Sequence, residues 1–261
     1  MSPWIFIALA GAALYTVVNF IDKYNLSIHI KDYRGMAIFS SIVAFVVGTV
    51  IWLALGMPSM AVKDALLVML TGVLSIVASA IYFEVIQNEE ATKVILLFNL
   101  IPVIVLILSS IFLGERISLL QIVGFVLILG SSLFVAAEGN FKDLLKIDKT
   151  LVSMFWVDVL WAVGEIIFKF VVDSGEFGKV VAYESWGWAV GGVLLICLPK
   201  VRNSFIKTAK SLKIVALGMV FGNEVIYLMS KFLTFWAHAQ LFGLHDKITK
   251  RFFRLIFMVK S

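Results

Sequence analysis

Residues 92–137 read TKVILLFNLIPVIVLILSSIFLGERISLLQIVGFVLILGSSLFVAA and contain two apolar segments, Thr92–Leu113 and Leu119–Ala137. Each segment is about twenty residues long, so a helix that rises about 1.5 Å per residue would cross a hydrocarbon core of roughly 30 Å. The polar turn between the segments is short, and short loops join antiparallel neighbours. These residues therefore predict a helical hairpin that spans a membrane.

The composition of the whole chain agrees with that prediction. Of its 261 residues, 61% are hydrophobic and only 15% are charged, and the mean hydropathy is +1.02. A soluble domain of this length needs more charged residues to cover its surface, so the composition indicates a polytopic membrane protein. The net charge of +5 then concerns orientation against the cytoplasmic face and does not indicate nucleic-acid binding.

Eight apolar runs predict an all-α membrane helix bundle of about eight transmembrane helices. The chain enters the first run directly and without a basic leader region, so that run is predicted to be a membrane helix and not a cleaved signal. The runs are Pro3–Ile21, Met36–Gly56, Ala65–Phe83, Thr92–Leu113, Leu119–Ala137, Leu151–Val172, Ala182–Leu198 and Ile214–Ala237.

The order of these elements starts again after a polar stretch at 139–149. Because five helices is an odd number, a second copy would enter the membrane in the opposite orientation, which is an inverted repeat. The predicted organisation is a five-helix repeat at 1–138, a linker at 139–149, an incomplete three-helix repeat at 150–237 and a basic amphipathic tail at 238–261.

Several motifs in the first repeat resemble those of the EamA domain of the drug/metabolite transporter superfamily. The resemblance implies ten helices in two inverted repeats, with a central cavity lined mainly by helices 1, 3, 4, 6, 8 and 9. It also implies transport of small metabolites, amino acids, nucleotide sugars or drugs without ATP hydrolysis. The residues that carry it are Tyr82, the Asn99–Pro102 step, the Leu113–Arg116 turn, Gln121, Gly124 and Gly130.

The hairpin residues themselves are predicted to be structural. Pro102 removes a backbone donor and should kink its helix. A turn and helix cap are predicted at Gly114, Glu115 and Arg116, where a carboxylate favours the positive end of the next helix dipole. The two glycines of the second segment, Gly124 and Gly130, are predicted to allow close helix packing.

Ionisable residues within apolar runs are the stronger functional candidates, because a charge in the membrane needs a cavity or a partner. In the sixth run Asp158, Trp161, Glu165 and Lys169 share one helical face. One interpretation is a Glu165–Lys169 ion pair packed against another helix. The other is a wet face suited to an amine-bearing or aromatic substrate, or to proton coupling through a carboxylate.

Other spans add polar residues to this set. The eighth run carries Asn223, Glu224, Tyr227 and Lys231, while hydroxyls in the third run more often serve packing than binding. For Glu184, a position inside the seventh span and one at its mouth both remain open. The candidate substrate-binding or coupling residues are Asp158, Trp161, Glu165, Glu224, Tyr227, Asn19 and Tyr82. Close helix approach is predicted at two small-residue pairs, Gly187/Gly191 and Gly218/Gly222.

No pattern in the sequence indicates an enzyme, a cofactor or a metal site. The chain has one cysteine, Cys197, and three widely separated histidines, His29, His238 and His245. Its loops show no nucleophile with a base and no phosphate-binding glycine loop, which disfavours an enzyme acting on lipid-linked substrates. The expected partners are the lipid bilayer and a small-molecule substrate, with a homo- or hetero-oligomer possible in the cell membrane.

Two features bear on orientation and on activity. Lysine and arginine concentrate in the loops of one side, so the positive-inside rule places the N-terminus outside, whereas the family resemblance implies both ends in the cytoplasm. After Ala237 the second repeat is expected to continue with two more helices, but residues 238–261 form a short basic stretch. That stretch is either a frameshifted or truncated end or a basic amphipathic helix on an anionic surface. The alternative function is accordingly a truncated, non-transporting membrane remnant or a scaffold that requires a partner.

Overall fold

The computed structural model describes residues 3–98, 100–112, 118–119, 122–127, 130, 149–172, 176–211 and 214–241, and the regular structure among them is helical. The all-α prediction is therefore confirmed. The bounded helices are α1 Pro3–Tyr24, followed by a π-helical turn Asn25–His29, α2 Tyr33–Ala54, α3 Val62–Asn88, α4 Ala91–Leu97, α5 Leu100–Phe112, α6 Lys149–Val172, α7 Phe177–Ile196, α8 Pro199–Ser211 and α9 Ile214–Leu241.

Among the described residues, six helical stretches are long and apolar enough to cross a membrane, or seven if α7 and α8 form one bent span. This result confirms a polytopic membrane helix bundle. The predicted turn at Gly114, Glu115 and Arg116 lies outside the described residues, as do most of the predicted fifth span Leu119–Ala137, the linker before Lys149 and residues 242–261.

The first span is longer than predicted, because its charged residues have partners inside the fold. The prediction ended it at Ile21, whereas α1 continues to Tyr24 and a π-helical turn extends it to His29. Lys23 Nζ donates to the carbonyl oxygens of Ile86 at 2.7 Å and of Glu89 at 2.8 Å. A lysine at the carboxyl end of a helix satisfies carbonyls that lack helical donors, and here it does so for α3.

Pro102 accounts for a break in the fourth span. The structure divides that span into α4 and α5, and Pro102 is the third residue of α5. A proline cannot donate to the carbonyl four residues earlier, which belongs to Phe98. The Ile101 N–H donates to that carbonyl instead, at 3.0 Å. The described helix bounds are thus interrupted just before the proline, and the predicted kink itself stays a prediction.

The basic connection after the seventh span is a helix of its own. A bend of 107° separates α7 from α8, and Pro199 begins the new helix. The side of α8 that carries Phe205 packs on α2, where the Phe205 and Phe39 ring centroids lie 5.1 Å apart. The other side exposes Lys200, Arg202 and Lys210.

The bundle interleaves its helices, with α1 packed on α9, α2 on α7, and α3 on both α6 and α7. The backbones of α3 and α7 touch where they cross. A Cβ on Gly187 would meet the Met69 carbonyl, and a Cβ on Gly72 would meet the α7 backbone. On the same face of α7, a Cβ on Gly191 would meet Ile76. Close helix approach at Gly187 and Gly191 is therefore confirmed.

The other glycines for which close packing was predicted have no close neighbour among the described residues. A Cβ on Gly218 or Gly222 would find no described atom within 4 Å, so the prediction of close approach by α9 at these residues is wrong for the described part of the chain. Gly124 and Gly130 also lack such a neighbour. Because most of the residues around these two lie outside the described ranges, their packing role stays a prediction.

Polar contacts gather the basic loops at one end of the bundle. Lys149 pairs with Glu84 at 3.3 Å, Thr150 Oγ1 donates to Glu89 at 2.6 Å, and Gln87 Nε2 donates to the Lys31 carbonyl at 2.8 Å. We call this end, which also includes α8, the basic end. The opposite end carries Lys63 and Lys179 near the starts of α3 and α7.

Candidate functional site

A small cavity lies between α1, α2, α3, α6, α7 and α9. Its volume is about 50 Å³, which is room for a few water molecules. The resemblance implied lining by helices 1, 3, 4, 6, 8 and 9. The first, third, sixth and eighth spans do line the cavity, the second and seventh contribute as well, and no described residue of the fourth span belongs to the lining. The lining residues are Tyr15, Val18, Asn19, Asp22, Ser40, Ser79, Tyr82, Phe83, Trp161, Trp188, Val220, Asn223, Glu224 and Tyr227.

The cavity wall is acidic and aromatic. Asp22 and Glu224 are its carboxylates, and no lysine, arginine or histidine belongs to the described lining. Tyr82 and Trp161 have ring centroids 5.8 Å apart, and Phe98 packs against both at 5.4 and 5.3 Å. Aromatic faces beside carboxylates attract a cation through the ring quadrupole and through direct charge, so the wall suits a positively charged group.

One wall of the cavity is a hydrogen-bond network that joins α1, α3 and α9. The Tyr82 hydroxyl lies 2.9 Å from Asn19 Oδ1 and 3.3 Å from Asp22 Oδ2. Asn223 Nδ2 donates to Asp22 Oδ1 at 2.7 Å. We call Asn19, Asp22, Tyr82 and Asn223 the Asp22 network. All four are buried, so their mutual hydrogen bonds replace those that water would make.

A second polar group, the Lys231 cluster of Lys231, Glu184 and Glu165, joins α9, α7 and α6. Lys231 Nζ lies 2.8 and 3.0 Å from the two Glu184 carboxylate oxygens and 3.2 Å from Glu165 Oε1. It also lies 3.9 Å from the centroid of the Phe168 ring. Lys231 follows Asn223 by eight residues, which places it about 12 Å further along α9 than the Asp22 network.

Five of the seven predicted candidate residues line the cavity. They belong to four helices, and of the sixth-run residues predicted to share one face only Trp161 is among them. They are Asn19, Tyr82, Trp161, Glu224 and Tyr227. Their part in binding or coupling remains a proposal.

The other two candidates lie outside the cavity lining. Asp158 is fully buried, and neither of its carboxylate oxygens has a hydrogen-bond partner in the described part of the chain. The side chain of Glu165 is 47% exposed and pairs with Lys231 of α9. One interpretation of the sixth span named Lys169 as the partner of Glu165, and in the structure Lys231 of α9 is a partner of this carboxylate.

Sequence reasoning missed Asp22 and Asn223 as candidates and left the place of Glu184 open. The predicted first span ends at Ile21, just before Asp22, although the spacing of Asp22 from Asn19 and Tyr15 puts all three on one helical face. That spacing is the signal that could have identified it. Glu184 lies well within α7 and is buried against Lys231. Nothing in the sequence pairs these two residues, because their contact depends on how α7 and α9 pack.

Comparison with known proteins agrees with the fold and the motifs. A search of curated proteins found no match to the chain. The model of the EamA-like transporter family matches residues 2–137, which is more than half of the chain. The matched region contains α1 to α5 and with them Tyr15, Asn19, Asp22 and Tyr82 of the cavity. The chain therefore belongs to the EamA-like transporter family and is a multi-pass membrane protein of the drug/metabolite transporter superfamily.

Proposed function

We propose that this protein is a secondary transporter that moves a small, amine-bearing organic metabolite or drug across the cell membrane without ATP hydrolysis. The observation that carries the proposal is the pair of carboxylates, Asp22 and Glu224, in a cavity with an aromatic wall. A buried carboxylate in a membrane needs a cationic partner or a proton. A substrate with a positive charge supplies that partner directly.

The aromatic residues support the same substrate class. Tyr15, Tyr82, Trp161, Trp188 and Tyr227 all line the cavity. Cation–π attraction is worth about 0.5–1 kcal/mol at exposed sites and about 2 kcal/mol or more where water is excluded. An anionic substrate would instead face two carboxylates without a described cation in the lining.

From the small size of the cavity we propose that the bundle is in an arrangement too narrow for its substrate. Sites for small organic ligands usually enclose about 300–1,000 Å³, whereas this cavity holds about 50 Å³. Substrate entry therefore requires the helices to separate. The Asp22 network and the Lys231 cluster each join three helices, so we propose that they hold the bundle closed at two levels.

We further propose that the chain contains two inverted repeats, with α1, α2 and α3 corresponding to α6, α7 and α9. Such symmetry pairs each contact with a counterpart, so the packing of α1 on α9 should accompany packing of α3 on α6, and both contacts are present. The corresponding helices α1 and α6 also run in opposite directions, as an inverted repeat requires. The carboxyl end of α1, with Lys23, lies at the basic end, and so does the amino end of α6, with Lys149.

Counterflow in proteoliposomes tests the transport proposal without knowledge of the coupling ion. Vesicles loaded with unlabelled benzyltrimethylammonium are diluted into a trace of the labelled cation, and its accumulation is measured. We expect saturable accumulation of the cation and none of phenylmethanesulfonate, a permanently charged anion of similar size. Folded, monodisperse protein that accumulates neither ion would contradict the proposal and favour the non-transporting alternative.

The charge distribution supports a cytoplasmic position for the basic end, with the N-terminus outside. The chain has one cysteine, Cys197, which is exposed after α7. In a Cys197→Ser background, Ser59→Cys at the opposite end should react with an impermeant maleimide on intact cells. Asn203→Cys on α8 should react only after the cells are lysed. The reverse labelling pattern would show that this orientation is wrong.

A further inference from the structure

Asp22 is a buried carboxylate with neutral partners. Its side chain accepts from Asn223 Nδ2 at 2.7 Å and lies 3.3 Å from the Tyr82 hydroxyl. The neighbouring Lys23 is engaged elsewhere, on the carbonyls at the end of α3. In the described part of the chain no lysine or arginine forms an ion pair with Asp22, so its charge is left without a protein cation.

Asn25, three residues after Asp22, and Asn223, which hydrogen-bonds to Asp22, each have a side-chain amide oxygen without a hydrogen-bond partner among the described residues. Asn25 is fully buried, and neither its Oδ1 nor its Nδ2 has one. Asn223 is also buried, and while its Nδ2 is held by Asp22, its Oδ1 is unpartnered. Buried polar atoms are nearly always satisfied by protein, water or an ion, so these two oxygens are candidates to bind a ligand.

The backbone places these residues on elements that contact each other. Asn25 follows Asp22 by three residues, which puts both on one helical face. It also begins the π-helical turn Asn25–His29, and that turn contacts α9, the helix of Asn223. Single π-helical turns of this kind often occur at functional sites, because they redirect side chains and carbonyls.

We propose that Asp22, Asn25 and Asn223 form a binding site for a monovalent metal cation, Na⁺. Carboxylate and amide oxygens are the ligands of hard cations, and one carboxylate matches a single positive charge. In the described part of the chain no three His, Cys, Asp or Glu side chains come together, so a transition-metal ligand set is not offered. A proton on Asp22 would neutralise the charge but leave both amide oxygens unpartnered.

The proposed site lies at the edge of the cavity. Asp22 and Asn223 belong to the cavity lining, whereas Asn25 lies outside it. A bound cation there would join α1 to α9 and would neutralise one of the two cavity carboxylates. The proposal goes beyond the transport function, and its test requires no transport. Failure of one proposal therefore leaves the other open to its own measurement.

Thermal unfolding of the purified protein in detergent tests the site, with about 100 mM NaCl compared with equimolar choline chloride. A ligand that binds the folded state near 1 mM should raise the Tm by about 5 °C or more at that concentration. Choline matches the ionic strength and is too large for an enclosed oxygen site. Equal Tm values in the two salts would overturn the proposal.

Asn25→Ala gives the sharper comparison. It removes a buried group without partners, so the variant should be at least as stable as the parent in choline chloride yet lose the Na⁺-dependent rise. Asp22→Asn should also lose the Na⁺-dependent rise in Tm. If Asp22→Asn does not fold, the result for Asn25→Ala is sufficient to test the site. Ser204→Ala on α8, another buried group without a described partner, is the matched control and should keep the full rise. An Asn25→Ala variant that also keeps it would overturn the site.

Discussion

Replacement of Glu224 by glutamine is expected to reduce benzyltrimethylammonium counterflow by about 100-fold or more. Glu224 is 8% exposed and lines the cavity beside Tyr227. Two opposite charges about 4 Å apart attract by about 4 kcal/mol at the effective dielectric of a protein, and a neutral amide of the same shape forfeits most of this. Initial rates in proteoliposomes, normalised to the amount of reconstituted protein, give the measurement.

Glu165→Gln is the matched control for this result. Glu165 carries the same charge and belongs to the Lys231 cluster, but it is half exposed and lies outside the cavity lining. We expect its loss of counterflow to stay within about tenfold, because Lys231 keeps Glu184 and the cavity keeps both carboxylates. Size-exclusion profiles establish that both variants are folded. Wild-type counterflow in Glu224→Gln would contradict the substrate class and the assignment of this residue.

Replacement of Lys231 by methionine is expected to lower the free energy of unfolding by about 3–5 kcal/mol. Lys231 and Glu184 have side chains only 8% and 6% exposed, so the substitution leaves a carboxylate buried without its cation. Methionine keeps much of the aliphatic length of lysine, which limits the loss of packing on Phe168. Thermal unfolding in detergent and the yield of monodisperse protein measure the effect.

Two further variants separate burial from charge. Lys231→Met combined with Glu184→Gln removes both charges and should recover most of the lost stability, because the cost lies in the unpaired charge. Lys149→Met removes the cation of the Lys149–Glu84 pair, whose lysine side chain is 86% exposed. Exposed pairs contribute about 0–1 kcal/mol, so this variant should unfold close to the parent. If Lys231→Met proved as stable as the parent, the proposal that the Lys231 cluster holds the bundle closed would be wrong.

The fold class followed from the sequence because hydrophobic length is a local property. Runs of about twenty apolar residues predict membrane helices whatever surrounds them. The ends of the first and third spans could not be predicted in the same way. Lys23 reads as an interfacial residue, yet in the fold it donates to the carbonyl of Ile86, and α1 continues past it. That contact joins residues far apart in the sequence.

In the candidate site, too, features within one helix could be predicted and contacts between helices could not. Helical spacing correctly grouped Glu224 with Tyr227 and placed Trp161 on an inward face, because spacing within one helix fixes the face. It could not reveal that Lys231 binds Glu184, or that Asn223 binds Asp22. Those pairs depend on packing between helices. Asp158 was chosen for its charge, but the packing of α6 places it outside the cavity lining.

The glycine crossing of α3 and α7 has a mechanical consequence for a transporter. Where Gly72 and Gly187 meet, backbone lies against backbone, with no side chain between them to change rotamer or give way. We expect such a contact to allow a small rocking rotation about the point where the two backbones meet. Under the two-repeat proposal, α3 and α7 belong to different halves. Under that proposal we expect the crossing to act as a fulcrum, about which opening would move α1 and α9 apart, because these two helices also belong to different halves.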